Sequence, residues 1–127
     1  MTGGAGLAQV AQHAEDLDRA AAFYERLLGS PPLARFDPPG LLFFDLGGVR
    51  LLLEPGAPAS LLYLRVADID ATWASLVGAG VTTESEPHVI HKDEAGEFGP
   101  PGNEEWMAFF RDSEGNLVGL VEQRLPG

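Results

Sequence analysis

The chain has 127 residues, no Cys and a net charge of −11; the missing Cys excludes disulfides, thiol nucleophiles and thiolate metal sites, and the acidic balance opposes binding to a nucleic-acid backbone. Its 45% apolar and 21% charged fractions are those of one globular domain over 1–127, and the acid keeps such a domain soluble and would attract a cationic ligand. No apolar run approaches the ~20 residues that cross a bilayer, and "MTGGAGLAQV" has no basic region ahead of an apolar stretch, so neither a membrane partner nor a signal peptide is expected and the protein is placed in the cytoplasm.

The first strand is read over "LAQVAQHA", Leu7 to Ala14. Asp16 then caps a helix, "LDRAAAFYERLLG", in which Leu17, Ala20, Ala21, Tyr24 and Leu28 recur at the three-to-four spacing of an amphipathic stripe. Gly29 and the following "SPP" stop it. Strands follow around "ARF", "GLLFFDL" and "VRLLLE", and "PGAPAS" at 55–60 breaks regular structure as a linker. The order then restarts. "LLYLRVA" is a strand, and Asp68 caps "IDATWASLVGAG", with Ile69, Thr72, Trp73, Leu76 and Val77 on one stripe. Strands follow around "HVIH", "EWMAFFR" and "LVGLVEQ".

A shift of 52 residues lays Ala14, Asp16, Leu17 and Asp18 over Val66, Asp68, Ile69 and Asp70. The hairpin "FFDLGGVRLLLEP" likewise has a counterpart in "FFRDSEGNLVGLVEQ". The fold expected is therefore α+β: two tandem βαβββ units, 7–54 and 61–124, with eight strands and helices near 17–28 and 69–79. The acidic, Gly- and Pro-rich "DEAGEFGPPGNEE", Asp93 to Glu105, has no counterpart in the first half and is expected to be more mobile than the strands beside it, since few of its residues can anchor it.

"QVAQHAEDLDRAAAFYERLLG", with Asp-Leu before the helix and Phe-Tyr within it, and the closing "FFRDSEGNLVGLVEQ", with Asp-x-x-Gly-Asn ahead of the last strand, resemble the vicinal oxygen chelate superfamily, which includes glyoxalase I, extradiol dioxygenases and bleomycin-resistance proteins. The resemblance covers nearly the whole chain. It implies a cup-shaped, mostly antiparallel sheet with its helices outside, a small-molecule ligand and a homodimer.

Enzymes of that superfamily generally hold one divalent metal, which acts as a Lewis acid on two neighbouring substrate oxygens. Its ligands are His, Gln or Glu on the first and last strand of each unit. Carried over by the resemblance, those places fall on Gln9, Leu51, Leu61 and Gly119, so Gln9 is the sole weak metal candidate and no stoichiometric metal is expected. The position of His13 commonly carries an Arg that binds a substrate carboxylate in glyoxalases; His there puts glutathione specificity in doubt.

Side chains alternate between the faces of a strand. Gln9, Ala11 and His13 share one face, as do Leu61, Tyr63 and Arg65. With positions 51 and 119 facing the ligand, Glu54 and Glu122 point away from it. The ligand set expected is Gln9, His13, Tyr63 and Arg65 among Leu51, Leu53, Gly119 and Val121. Arg65 falls within its strand and suits a ligand oxygen. His88 and His91, three apart, fall on opposite faces, and one of them can act as acid or base. Trp106, Ala108 and Phe110 share a face, as do Met107, Phe109 and Arg111. One set is core, and the other offers flat surface to the ligand; we assign Trp106 and Phe110 to the ligand. The first reading is a metal-free binding module for a small, partly aromatic molecule. The alternatives are a metal-dependent lyase, isomerase or dioxygenase using Gln9, and metal-free acid–base catalysis by His13 or His88 with Tyr63.

Overall fold

The structure, a computed structural model, describes residues 4–125. Its chain divides into two compact units, Met1–Ser60 and Leu61–Gly127. The described residues form eight strands and two helices in the repeated order β-α-β-β-β, an α+β fold. No described helix is long and apolar enough to cross a membrane.

Unit 1 holds β1 (Gln9–His13), α1 (Leu17–Leu28), β2 (Ala34–Phe36), β3 (Leu41–Leu46) and β4 (Val49–Glu54), with sheet order β1-β4-β3-β2. The predicted cap forms: the Asp16 carboxylate accepts the Arg19 N–H at 3.0 Å. Gly29 ends the helix at φ +73, a left-handed position where a side chain would be strained. α1 packs on β3 and β4. Its stripe of Leu17, Ala20 and Tyr24 is buried with Leu42, Phe44, Leu51 and Leu53, and the Tyr24 and Phe44 rings lie 6.2 Å apart.

Unit 2 repeats the plan with β5 (Leu62–Arg65), α2 (Ile69–Gly78), β6 (Thr83–Asp93), β7 (Asn103–Arg111) and β8 (Leu117–Arg124), in the order β5-β8-β7-β6. Asp68 caps α2 by accepting the Ala71 N–H at 3.0 Å. α2 packs on β6, β7 and β8, and Ile69, Leu76, Ala108, Phe110, Val118 and Leu120 form the buried layer.

β6 is much longer than the "HVIH" that suggested it. Its register against β7 slips between Thr83 and Ser85, between Ser85 and His88, and between Val89 and His91. Each slip sets an extra residue against the partner strand, as in a β-bulge. The connection after β6 is thereby cut to residues 94–102.

Asp93 anchors that connection. Its two carboxylate oxygens accept the Glu97 and Phe98 N–H groups, each at 2.8 Å, and its carbonyl accepts from Gly102 N at 2.7 Å. The Gly- and Pro-rich composition hid this anchor. The Phe98 N–H, then the other backbone donors and nearby His91, hold the Asp93 carboxyl below its ordinary value against the opposing effect of burial. A lowered folded-state value stabilises the clasp above the unfolded pKa of ~3.9, and that contribution is lost as pH falls through the depressed value. Amide exchange at Glu97 and Phe98, corrected for chemical exchange, is therefore expected to accelerate in acid, and Asp93→Asn should loosen both amides already at neutral pH. Protection that stays constant from neutral pH to about pH 2, below the ordinary carboxylate range, would rule the clasp out.

Candidate functional site

Residues paired across neighbouring strands stand on the same face of a sheet, so register decides which side chains meet. In unit 1 the pairs Phe44–Leu51–Val10 and Leu42–Leu53–Gln12 lie on the α1 side. Leu51 and Leu53 are therefore buried core beneath the helix, and their assignment to the ligand is corrected. The other face carries Gln9, Arg50 and Asp45 in one row, Ala11, Leu52 and Phe43 in the next, and His13 beside Glu54 in the third.

Four polar side chains of that face, Gln9, Arg50, Asp45 and His13, are engaged, Asp45 by the Gly48 N–H. Gln9 Oε1 accepts from Arg50 Nε at 2.9 Å. His13 Nδ1 lies 3.1 Å from the Ala57 carbonyl, which can only accept, so this nitrogen carries the proton. His13 Nε2 lies 3.2 Å from a Glu15 carboxylate oxygen. Gln12, unremarked in the sequence, is fully buried and clamps the end of the connector: it donates to the Ser60 carbonyl and accepts the Ser60 N–H, both at 2.7 Å. The available signal was a polar residue at an α1-facing position of β1.

The donor set does not fit a divalent metal. Gln9, the one matching ligand, already satisfies a cation, Arg50, that stands level with it. Leu51 points under α1, and Leu61 and Gly119 offer no donor atom. Among the described residues no three His, Asp or Glu side chains gather into a group that could hold a metal ion.

In unit 2 the rows on the α2 side are Trp106–Glu122, Ala108–Leu120 and Phe110–Val118. Trp106 and Phe110 are thus on the helix side, and their assignment to the ligand is corrected. The Arg124 guanidinium lies 4.5 Å from the Trp106 ring centre and pairs with Glu122 at 2.7 Å and Asp70 at 2.8 Å. Glu122 also accepts the Ile69 N–H at 2.7 Å, at the start of α2. Arg124, then the Ile69 N–H, hold the Glu122 carboxyl below the usual carboxylate range. Glu122 is therefore a structural cap. The repeat is also one residue out of the expected phase here: Leu53 pairs with Gln12 and Leu120 with Leu64, so Glu54 corresponds to Val121 rather than to Glu122.

The opposite face of unit 2 is the candidate site. Its first row is Tyr63, Gly119 and Phe109, its second Arg65, Val121, Met107 and His88, and its third Gln123, Glu105 and His91. The Tyr63 and Phe109 rings meet edge to face, 5.9 Å between centres. They close over Gly119: a Cβ there would lie 3.0 Å from both rings. Gly119 therefore has a packing reason of its own, apart from any metal.

Tyr63 is 52% exposed, so its ring offers surface to a ligand. Arg65 ends β5 rather than lying within it and is exposed, which removes the cost of burial as a reason for a partner. His88 and His91 share this face, contrary to the three-residue spacing, because the slip between Val89 and His91 restores the side. His88 Nδ1 is 2.8 Å from the Glu86 carbonyl. Phe109, Met107 and Glu105 are the face residues that sequence parity could not select, since either set of β7 satisfied the alternation; Gln123, on β8, follows the alternation of Gly119 and Val121 and was readable from it.

The family model of the glyoxalase/bleomycin resistance protein/dioxygenase superfamily matches residues 6–120. No curated protein matches the sequence. Similar solved structures include a lactoylglutathione lyase from Agrobacterium tumefaciens, 22% identical, covering 94% of this chain and 95% of that one with a TM-score of 0.69. A superfamily member from Sphaerobacter thermophilus DSM 20745 is 22% identical over 93% of this chain and 97% of that one, with a TM-score of 0.70. TnmS3, an antibiotic binding protein from Streptomyces sp. CB03234, is 24% identical over 96% of this chain and 98% of that one, with a TM-score of 0.67. At these identities the likenesses show the fold.

Proposed function

The chain belongs to the glyoxalase/bleomycin resistance protein/dioxygenase superfamily, and from that premise we propose that it binds a small, partly aromatic molecule without using the metal of the superfamily's enzymes. The observation that carries this reading is the Tyr63–Phe109 pair closed over Gly119, an aromatic corner of two nearly perpendicular rings with Arg65 in the adjoining row. An aromatic pair with hydrogen-bonding and charged side chains in the rows beside it is ordinary chemistry of small-molecule recognition. The fold shared with an antibiotic binding protein supports the same class.

In this reading the aromatic pair holds the ligand body and Arg65 its anionic or strongly polar oxygen, through the paired N–H donors of the guanidinium. Calorimetric titration of aromatic carboxylates should show Arg65→Ala weakening binding by ~1.5–3 kcal/mol, the range for hydrogen bonds to a charged group. Equal binding of a cationic aromatic compound to wild type and Arg65→Ala, with no binding of carboxylates, would remove Arg65 from the site and favour a cationic ligand.

The metal-free state rests on the donor set. Elemental analysis of the purified protein is expected to find no stoichiometric Ni, Zn, Fe or Mn. About one such ion per chain, lost in Gln9→Ala, would overturn this and restore the metal-dependent lyase, isomerase or dioxygenase.

A further inference from the structure

The same face of unit 2 holds charges that the protein leaves unanswered. Arg35, Arg111 and Arg124 are each in ion pairs, with Asp18 and Asp37, with Glu84, and with Glu122 and Asp70. The Arg65 side chain makes no hydrogen bond or ion pair with any described residue, in a chain with 19 acids against 8 Lys and Arg. The side chains of Glu105 and Gln123, in the third row, are likewise without a hydrogen-bond or ion-pair partner among the described residues, although both residues are partly buried.

Arg65 and Glu105 therefore stand on one face, of opposite charge and unjoined. Between them lie Val121 and Met107, the apolar middle of the second row. Glu105 is on β7 and Arg65 on β5, with β8 between. Two strand spacings of ~4.8 Å across and two residues of ~3.4 Å along set their Cα atoms ~12 Å apart. The Tyr63–Phe109 platform borders the same stretch from the first row.

We infer that the ligand of this face is dipolar: an aromatic molecule carrying an anionic oxygen for Arg65 at one end and a basic nitrogen for Glu105 and the Gln123 carbonyl at the other. This deepens the small-molecule reading and rests on it. It also reconciles the acidic balance of the chain, which favours a cation, with an exposed arginine, which favours an anion. Each charge on the face meets its opposite on the ligand, and the apolar body between them lies over the partly exposed Met107, beside the nearly buried Val121. A ligand with only one charge leaves the other side chain solvated but uncompensated beneath it, and binds more weakly.

The probe is 4′-(aminomethyl)biphenyl-4-carboxylate, a flat body with a charge at each end, titrated calorimetrically beside its methyl ester and its N-acetyl derivative. Wild type is expected to bind the parent about tenfold or more tightly than either blocked form. Arg65→Gln should abolish the preference over the ester and leave that over the N-acetyl form; Glu105→Gln should do the converse. Both substitutions are at solvent-accessible positions, and equal urea midpoints with wild type confirm that the fold is intact. If all three compounds bind equally, the dipolar inference falls while the aromatic platform stands. Preferences that survive both substitutions overturn the inference as well. If neither the parent nor uncharged biphenyl binds, the small-molecule reading of the face falls with it.

Discussion

Phe110→Ala is expected to destabilise the protein by ~3–5 kcal/mol, the cost of removing a large aromatic ring from a packed interior. Phe110 is fully buried, on the α2 side of β7, level with Val118, and next to the buried pair Ala108 and Leu120. Truncation there leaves a cavity that these strand-borne neighbours can close only partly. Phe109, one residue away, points to the other face and is partly exposed beside Tyr63, so Phe109→Ala should cost about half as much or less and act mainly on ligand affinity. Urea unfolding of the two variants, with binding measured on whatever remains folded, separates the roles. A Phe110→Ala protein that keeps its stability and loses its ligand would reverse the assignment of the two faces of β7.

Asp112→Ala is expected to cost ~2–4 kcal/mol, because it strands buried donors rather than a contact with a ligand. Asp112 and Asn116 are 6% and 5% exposed. The carboxylate accepts the Glu114 N–H at 2.9 Å, the Asn116 N–H at 2.8 Å and the Asn116 side-chain amide at 2.9 Å. Asp112 N donates back to the Asn116 carbonyl at 2.9 Å, and Gly115 takes φ +84, which a side chain would strain. The Asp-x-x-Gly-Asn signature is thus the chemistry of the turn between β7 and β8. Asp112→Asn should retain part of the stability, since its amide carbonyl can replace one carboxylate oxygen while its NH₂ opposes the Asn116 amide. Unchanged urea stability in Asp112→Ala together with lost binding would instead make the motif a ligand contact.

Several features were legible in the residues alone, and they are the local ones. Asp16 and Asp68 ahead of apolar stripes are caps whose bonds span only three residues, so both helices begin where the caps put them. The 52-residue repeat of those caps requires two like units, and strand-forming runs broken by Gly turns supply the hairpins. Tyr63 and Arg65 share a face because side chains alternate along a strand whatever packs beside it.

Long-range register is what only the tertiary structure decided. Alternation states which residues agree with one another, never which set faces the helix; that depends on where α1 and α2 pack. Leu51 and Leu53 therefore moved under α1, and Trp106 and Phe110 to the α2 side. A single residue of slip reverses a side chain. The slip in β6 puts His88 and His91 on one face, and the one-residue change of phase between the units sets Val121, not Glu122, in the place of Glu54. The partners of Glu122 lie beside it on β8 and at the start of α2, at Arg124 and Ile69. The meeting of strand and helix is fixed by packing across more than fifty residues of chain, for which no local spacing carries a signal.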